Sequence, residues 1–154
     1  MLTAEQETLL QESQQAFDAY YNALGTSLVS FVERLGIQPS HEVLTNAGEY
    51  LPYIDAAMRT ITIRDESWQW VKTMLGYFVG EYFVQQHAGC WYLETQPQSP
   101  HFCRIMVGGF EDGLPADAAI EPEQLALALL AGPLPRELSV LIDETAAALA
   151  RADA

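Results

Sequence analysis

Apolar and small residues recur at three- and four-residue intervals as Leu10, Ser13, Phe17, Tyr20, Leu24, Leu28, Phe31 and Leu35. That rhythm holds one stripe on one side of an α-helix, and Tyr21 and Val32 widen it. Thr3-x-x-Gln6 has the form of a capping box, which sets the start. Gly36 and Pro39, just past the last periodic residue, supply the stop. The pattern predicts a helix over residues 3–35. A stripe that long packs along the domain or forms the seam of a homodimer.

Between Ser67 and His87 the pattern changes character. Val71, Leu75, Phe78 and Tyr82 make one face, while Trp68, Trp70, Met74, Tyr77, Val79 and Phe83 cover most of the rest. A helix apolar nearly all round is buried nearly all round, so this is the expected central helix, with Asp65 as its N-cap. Gly76 and Gly80 lie four apart, where missing side chains let another backbone come close. Glu66, Lys72 and Glu81 interrupt the run, which falls short of the ~18 apolar residues a bilayer span needs.

The flanking segments are shorter. Glu42–Ala47 reads as a short helix, Asn46 to Gly48 as a break, and Pro52–Arg59 as a helix with proline in its first turn. Thr60 to Ile63 reads as a short strand or an extended link. Phe110–Pro115 reads as a loop with turn chemistry at Asp112-Gly113, within an acidic loop from Glu111 to Glu123, and a short helix runs from Pro122 through Leu130. A last helix starts at Pro135 and turns Leu138, Leu141, Ile142, Thr145 and Leu149 inward.

Cys90–Thr95 and His101–Val107 alternate as strands, joined by Gln96-Pro-Gln-Ser-Pro100. Placing Thr95 opposite His101 puts Trp91, Leu93, Cys103, Ile105 and Val107 on one apolar face. A one-residue slip would bring Arg104 beside Leu93 and spoil both faces. The expected architecture is one α+β domain over residues 1–154, its helices packed around a small antiparallel sheet centred on a hairpin at 90–107.

The hairpin also settles whether its cysteines and histidines form a metal site. Both cysteines and two of the three histidines fall in His87-x-x-Cys90 and His101-x-Cys103. On this phase Cys90 and Cys103 face opposite ways. A disulfide needs Cβ atoms about 3.8 Å apart, and a tetrahedral site needs its ligands converging on one ion. Neither a disulfide nor a metal is expected. Cys103 reads as a small core residue, and His87 as a last-turn residue favoured by the helix dipole.

Charge narrows the function classes. Asp and Glu number 21 against 7 Lys and Arg, for a net charge of −14. Nucleic acid and anionic membranes demand clustered basic residues, so neither is an expected partner. A basic protein would be attracted and steered. The candidate contact residues are Glu111, Asp112, Asp117, Glu121 and Glu123 in the acidic stretch, with Glu94 on the hairpin's other face. The N-terminal MLTAEQETLL is acidic and amphipathic, so a cytoplasmic, reduced chain without a secretory signal is expected.

Catalytic signals are sparse. No nucleophile elbow or phosphate-cradling glycine loop is present, and residues 111–123 lack the order of a calcium loop. No cofactor is expected. Glu81, in the most apolar helix, is the conspicuous ionisable residue. It is expected to accept backbone amides or to pair with Arg104 or another arginine, as buried carboxylates must. The alternative is an enzyme that uses Glu81 with His87 or His101 as an acid/base pair.

The run LGYFVGEYFVQQHAGCWYLE, Leu75 to Glu94, resembles a segment of small bacterial proteins of unknown function, some of them toxin-immunity proteins. Their pattern is a Leu-Gly-x-x-x-Gly-Glu helix followed by a Gly-Gly-x-Trp turn into a hairpin. Gly76, Gly80, Glu81, Gly89 and Trp91 match it, and Ala88 stands at the first glycine of the turn. The resemblance implies an α+β architecture and carries no catalytic residue. Together with the charge it points to a non-enzymatic binding protein, an immunity-type inhibitor of a basic partner.

Overall fold

The structure, a computed structural model, describes residues 1–152. Helix α1 spans Ala4–Arg34 and begins as expected: the Thr3 hydroxyl accepts from Gln6 N at 3.1 Å, and the Gln6 side chain accepts from Thr3 N at 2.9 Å. It ends in a Schellman closure. Ile37 N donates to Val32 O at 3.2 Å and Gly36 N to Glu33 O at 2.9 Å, with Gly36 at φ 78°. Leu24, Leu28, Phe31 and Val32 are buried and Phe17 and Tyr20 pack half-buried against the core, whereas Tyr21 remains exposed, so the stripe is fully buried only in its C-terminal half.

A 3-10 turn at His41–Leu44 leads into α2, Ala47–Met58. This differs from the expected break: α2 runs straight through Pro52 instead of starting there. Proline removes only one helical donor, and the first turn is held from outside. Gln85 accepts from Ala47 N at 2.7 Å and donates to Val43 O at 3.1 Å.

Helix α3, Asp65–His87, is the central element: every residue from Met74 to Gly80 is buried. Its N-cap is Arg64, so Asp65 serves as a first-turn carboxylate at the positive helix end instead of as the cap. Helix α3 packs most closely on α4, Pro122–Ala131, and also against α1, α2 and the sheet. Backbone approach occurs at Gly76, where an added Cβ would lie 3.4 Å from Glu123 Cα. At Gly80 the neighbour is a side chain: the same Cβ would fall 2.2 Å from the Trp91 ring. Helix α5, Leu138–Ala152, starts three residues later than expected from Pro135, and buries Leu138 and Ile142.

The sheet has three antiparallel strands in the order β1-β2-β3, from Cys90–Leu93, Ile105–Gly108 and Ala119–Ile120. Strand β3 was expected to be loop; it pairs Ile120 with Val107 and Ala119 with Gly108. Cys90 opposes Gly108 and Leu93 opposes Ile105, so the register is two residues from the expected one and the phase is unchanged. Trp91, Leu93 and Val107 share the buried face. The shift goes with a longer joint: residues 101–103 are turn, and the second strand starts at Ile105 instead of His101. Cys103 takes a left-handed conformation, φ 64°, and its N–H meets Glu94 O at 2.8 Å, forming a bulge that ends the ladder. Half-buried Cys103 is therefore a bulge residue and not a full core residue. Among the described residues, five α-helices around this small sheet give the α+β fold.

Candidate functional site

The residues singled out by sequence do not assemble into one site. Glu81 accepts the Trp91 indole N–H at 2.8 Å, and among the described residues neither a backbone amide nor Arg104 is its partner. Gly80 makes this possible, because its missing side chain lets the Trp91 ring come against α3 one residue before the carboxylate. Tyr20 and Tyr77 close around the same ring, at centroid distances of 5.6 and 6.5 Å. The Tyr77 hydroxyl donates to Tyr20 O at 2.8 Å. Burial first, then the Glu123 carboxylate, pushes both phenols above their ordinary range.

The histidines are engaged elsewhere. His87 at the end of α3 meets Asp112 O through Nδ1 at 2.8 Å, and its own carbonyl accepts from Glu111 N and Asp112 N. Ala88 follows at φ 51°, a left-handed position usually filled by glycine, and Gly89 N closes on Val84 O. His101 lies 3.9 Å from Glu121, which pairs with Arg104 at 3.1 Å. No hydrogen bond joins Glu81 to a histidine among the described residues. Cys90 and Cys103 are free, and no group of three or more His, Cys, Asp or Glu in metal-holding geometry occurs among the described residues.

The acidic candidates divide into two sets. Glu111, Asp112 and Asp117 are exposed on the loop anchored at His87, and Glu94 is half-exposed at the end of β1. Glu121 is held by Arg104, and Glu123 lies against Gly76 on α3. Those two are part of the packed structure.

A more enclosed feature lies between the end of α1 and the start of α2, and the sequence pattern did not signal it. The turn Gly36–Pro39, Glu42 of the 3-10 turn, and Glu49, Tyr50 and Tyr53 of α2 line a cleft of about 380 Å³. Each wall is fixed independently. The Schellman closure at Gly36 sets the turn, and Ser40 Oγ donates to Glu33 at 3.0 Å behind it. The buried Tyr50 donates its hydroxyl to the Pro39 carbonyl, tying α2 to the turn. Gln85 holds the backbone on either side of the 3-10 turn's end. Residues 49 and 53 are one helical turn apart, so Glu49 and Tyr53 share a face. Tyr53 keeps 63% of its surface exposed at the rim.

The electrostatics of the cleft are one-sided. Neither Glu42 nor Glu49 has an ion-pair partner among the described residues. Arg34, the last-turn cation of α1, stands 5.0 Å over the Trp70 ring. Burial, then Glu42 and Glu49, raises the Tyr50 phenol above its usual pKa. Because the Tyr50 proton is already donated, the lining side chains Glu42, Glu49 and Tyr50 present oxygen acceptors. Such a wall favours a cation.

No protein-family model, curated protein or solved structure matches this chain.

Proposed function

We propose that the protein is a non-enzymatic, acidic, cytoplasmic binding protein that engages a basic protein partner in the manner of an immunity-type inhibitor. The observation that carries this reading is the surplus of uncompensated carboxylate. The net charge is −14, and among the described residues only Asp55, Glu66 and Glu121 pair with an arginine. Unpaired exposed carboxylates contribute little to folding and create a long-range attractive field for a cationic partner. Glu94, Glu111, Asp112 and Asp117 are the contact candidates on the sheet side, and two unpaired free thiols suit a reducing compartment. No helix is long and apolar enough to cross a membrane among the described residues.

The test is capture by the immobilised full-length protein from a lysate of its source cell at two salt concentrations. A basic protein retained at low salt and released at high salt is expected, since screening shortens the Debye length to roughly 3 Å at 1 M. Failure to retain any basic protein at low salt overturns the reading.

A further inference from the structure

We infer that the cleft between the end of α1 and helix α2 is a receptor for one arginine side chain, with Glu42 and Glu49 binding the guanidinium and Tyr53 stacking on it. This rests on the reading of the protein as a binder of a basic partner, and names the part of that partner the cleft takes.

Three features select this occupant. The Glu42, Glu49 and Tyr50 side chains offer acceptors, and no arginine or lysine of the chain pairs with either carboxylate among the described residues. Both carboxylates are exposed and hydrated in the free protein, so a cation from outside can reach them. The cleft, at about 380 Å³, falls near the lower end of the roughly 300–1,000 Å³ range of small-ligand sites, which suits one long side chain. A divalent metal is disfavoured, since no cluster of three or more metal-ligating side chains forms among the described residues. Finally, the largely exposed Tyr53 ring stands on the same helical face as Glu49. A planar guanidinium can pair with carboxylates and stack on an aromatic ring at once, whereas the compact, strongly hydrated lysine ammonium gains less from that combination.

Guanidinium recognition also explains why a rigid cleft matters on a surface already rich in carboxylates. A diffuse acidic field attracts every cation, but two carboxylates carried on a tied backbone beside an aromatic plane distinguish arginine from lysine.

The test titrates N-acetyl-arginine-N-methylamide, and in parallel the lysine analogue, into the intact protein, followed by amide chemical shifts. Saturable shifts centred on residues 36–53 are expected, with the lysine analogue several-fold weaker. The double variant Glu42→Gln/Glu49→Gln should bind the arginine probe about tenfold less tightly with its unfolding midpoint unchanged. Tyr53→Ala should narrow the gap between the two probes. The inference is overturned if shifts spread evenly over the acidic surface, or if the double variant binds like the parent.

Partner capture separates this claim from the broader one. If the double variant retains a basic partner as well as the parent does, the cleft assignment fails and the binding-protein reading survives. If the parent captures nothing while the arginine probe saturates the cleft, the broader reading fails alone.

Discussion

Helix α2 carries a carboxylate site at each end, and the two differ in how their acceptors are met. Toward the C-terminus, Asp55 is buried at 8% exposure and its oxygens are all engaged. Oδ1 accepts from Leu138 N at 2.8 Å and Ser139 N at 3.3 Å, and Oδ2 meets Arg59 at 3.3 Å. It caps the amides of α5 from a neighbouring helix, where the N-terminal dipole favours negative charge. Arg136 completes the joint, donating to Met58 O at 3.3 Å and Ile61 O at 2.7 Å near the end of α2. Toward the N-terminus, Glu42 and Glu49 have no such partners among the described residues and face a cleft. An acceptor that the fold itself satisfies serves stability. Acceptors left open on fixed walls are available to a ligand.

Replacement at the closed end should have the largest effect. Asp55→Ala leaves the α5 amides uncapped in a buried place and should lower unfolding free energy by about 3 kcal/mol in a denaturant titration. A loss under about 1 kcal/mol would mean that the joint is not a structural one. Arg136→Met keeps the aliphatic packing but withdraws the donors from two carbonyls, and should remove about 2 kcal/mol by the same measurement.

A gain is expected at the α3 terminus, which lies in neither site. Ala88→Gly relieves a left-handed alanine worth about 1–2 kcal/mol, offset by glycine's own entropy of about 0.5–1. Thermal unfolding should report a net stabilisation near 0.5–1 kcal/mol. Glu42→Gln and Glu49→Gln at the open end should each change stability by less than about 0.5 kcal/mol. A larger loss would place these carboxylates in the fold and not at a binding site.

The finest effect concerns Tyr50. Its phenol is raised above 10.0 in the folded protein by burial and then by Glu42 and Glu49. The unfolded chain therefore ionises first, so the contribution to stability is full below pH 10 and is lost as pH climbs through the folded value. Removing both carboxylates should lower the folded Tyr50 titration toward, but not to, the ordinary value, because the burial contribution persists. Site-resolved tyrosine NMR would show the shift, and an unmoved titration would separate Tyr50 from the two glutamates.

Local chemistry was readable residue by residue. The capping box at Thr3 and Gln6 and the stop at Gly36 need only neighbours within a turn, and both form as their sequence implies. The apolar belt of α3 marked the central helix for the same reason: burial on every side leaves no polar face to hide. Strand phase was legible because alternation has a period of two, and the two-residue register error preserved it. The bulge at Cys103 was not, since a left-handed cysteine contradicts the residue's own preference. Strand β3 was also hidden: two residues carry no periodicity, and Ala119 and Ile120 become a strand only because Val107 and Gly108 lie alongside.

The candidate sites show the same division more sharply. Glu81 stood out by sequence, yet its partner, the Trp91 indole, depends on the approach opened by Gly80. The acidic stretch was visible as composition, while its split between exposed Glu111, Asp112 and Asp117 and engaged Glu121 and Glu123 depends on what α3 and Arg104 bring near.

By itself the sequence determined the helices with strong periodicity, the inward face of the hairpin and the acidic character, because each depends on short-range spacing or on plain summation. Tertiary structure alone decided which carboxylates are satisfied and which remain open. That outcome depends on donors from distant segments, such as Leu138 reaching Asp55 and, among the described residues, no cation reaching Glu42 or Glu49. Proximity between remote donors and acceptors is a property of packing, and no periodicity along the chain encodes it.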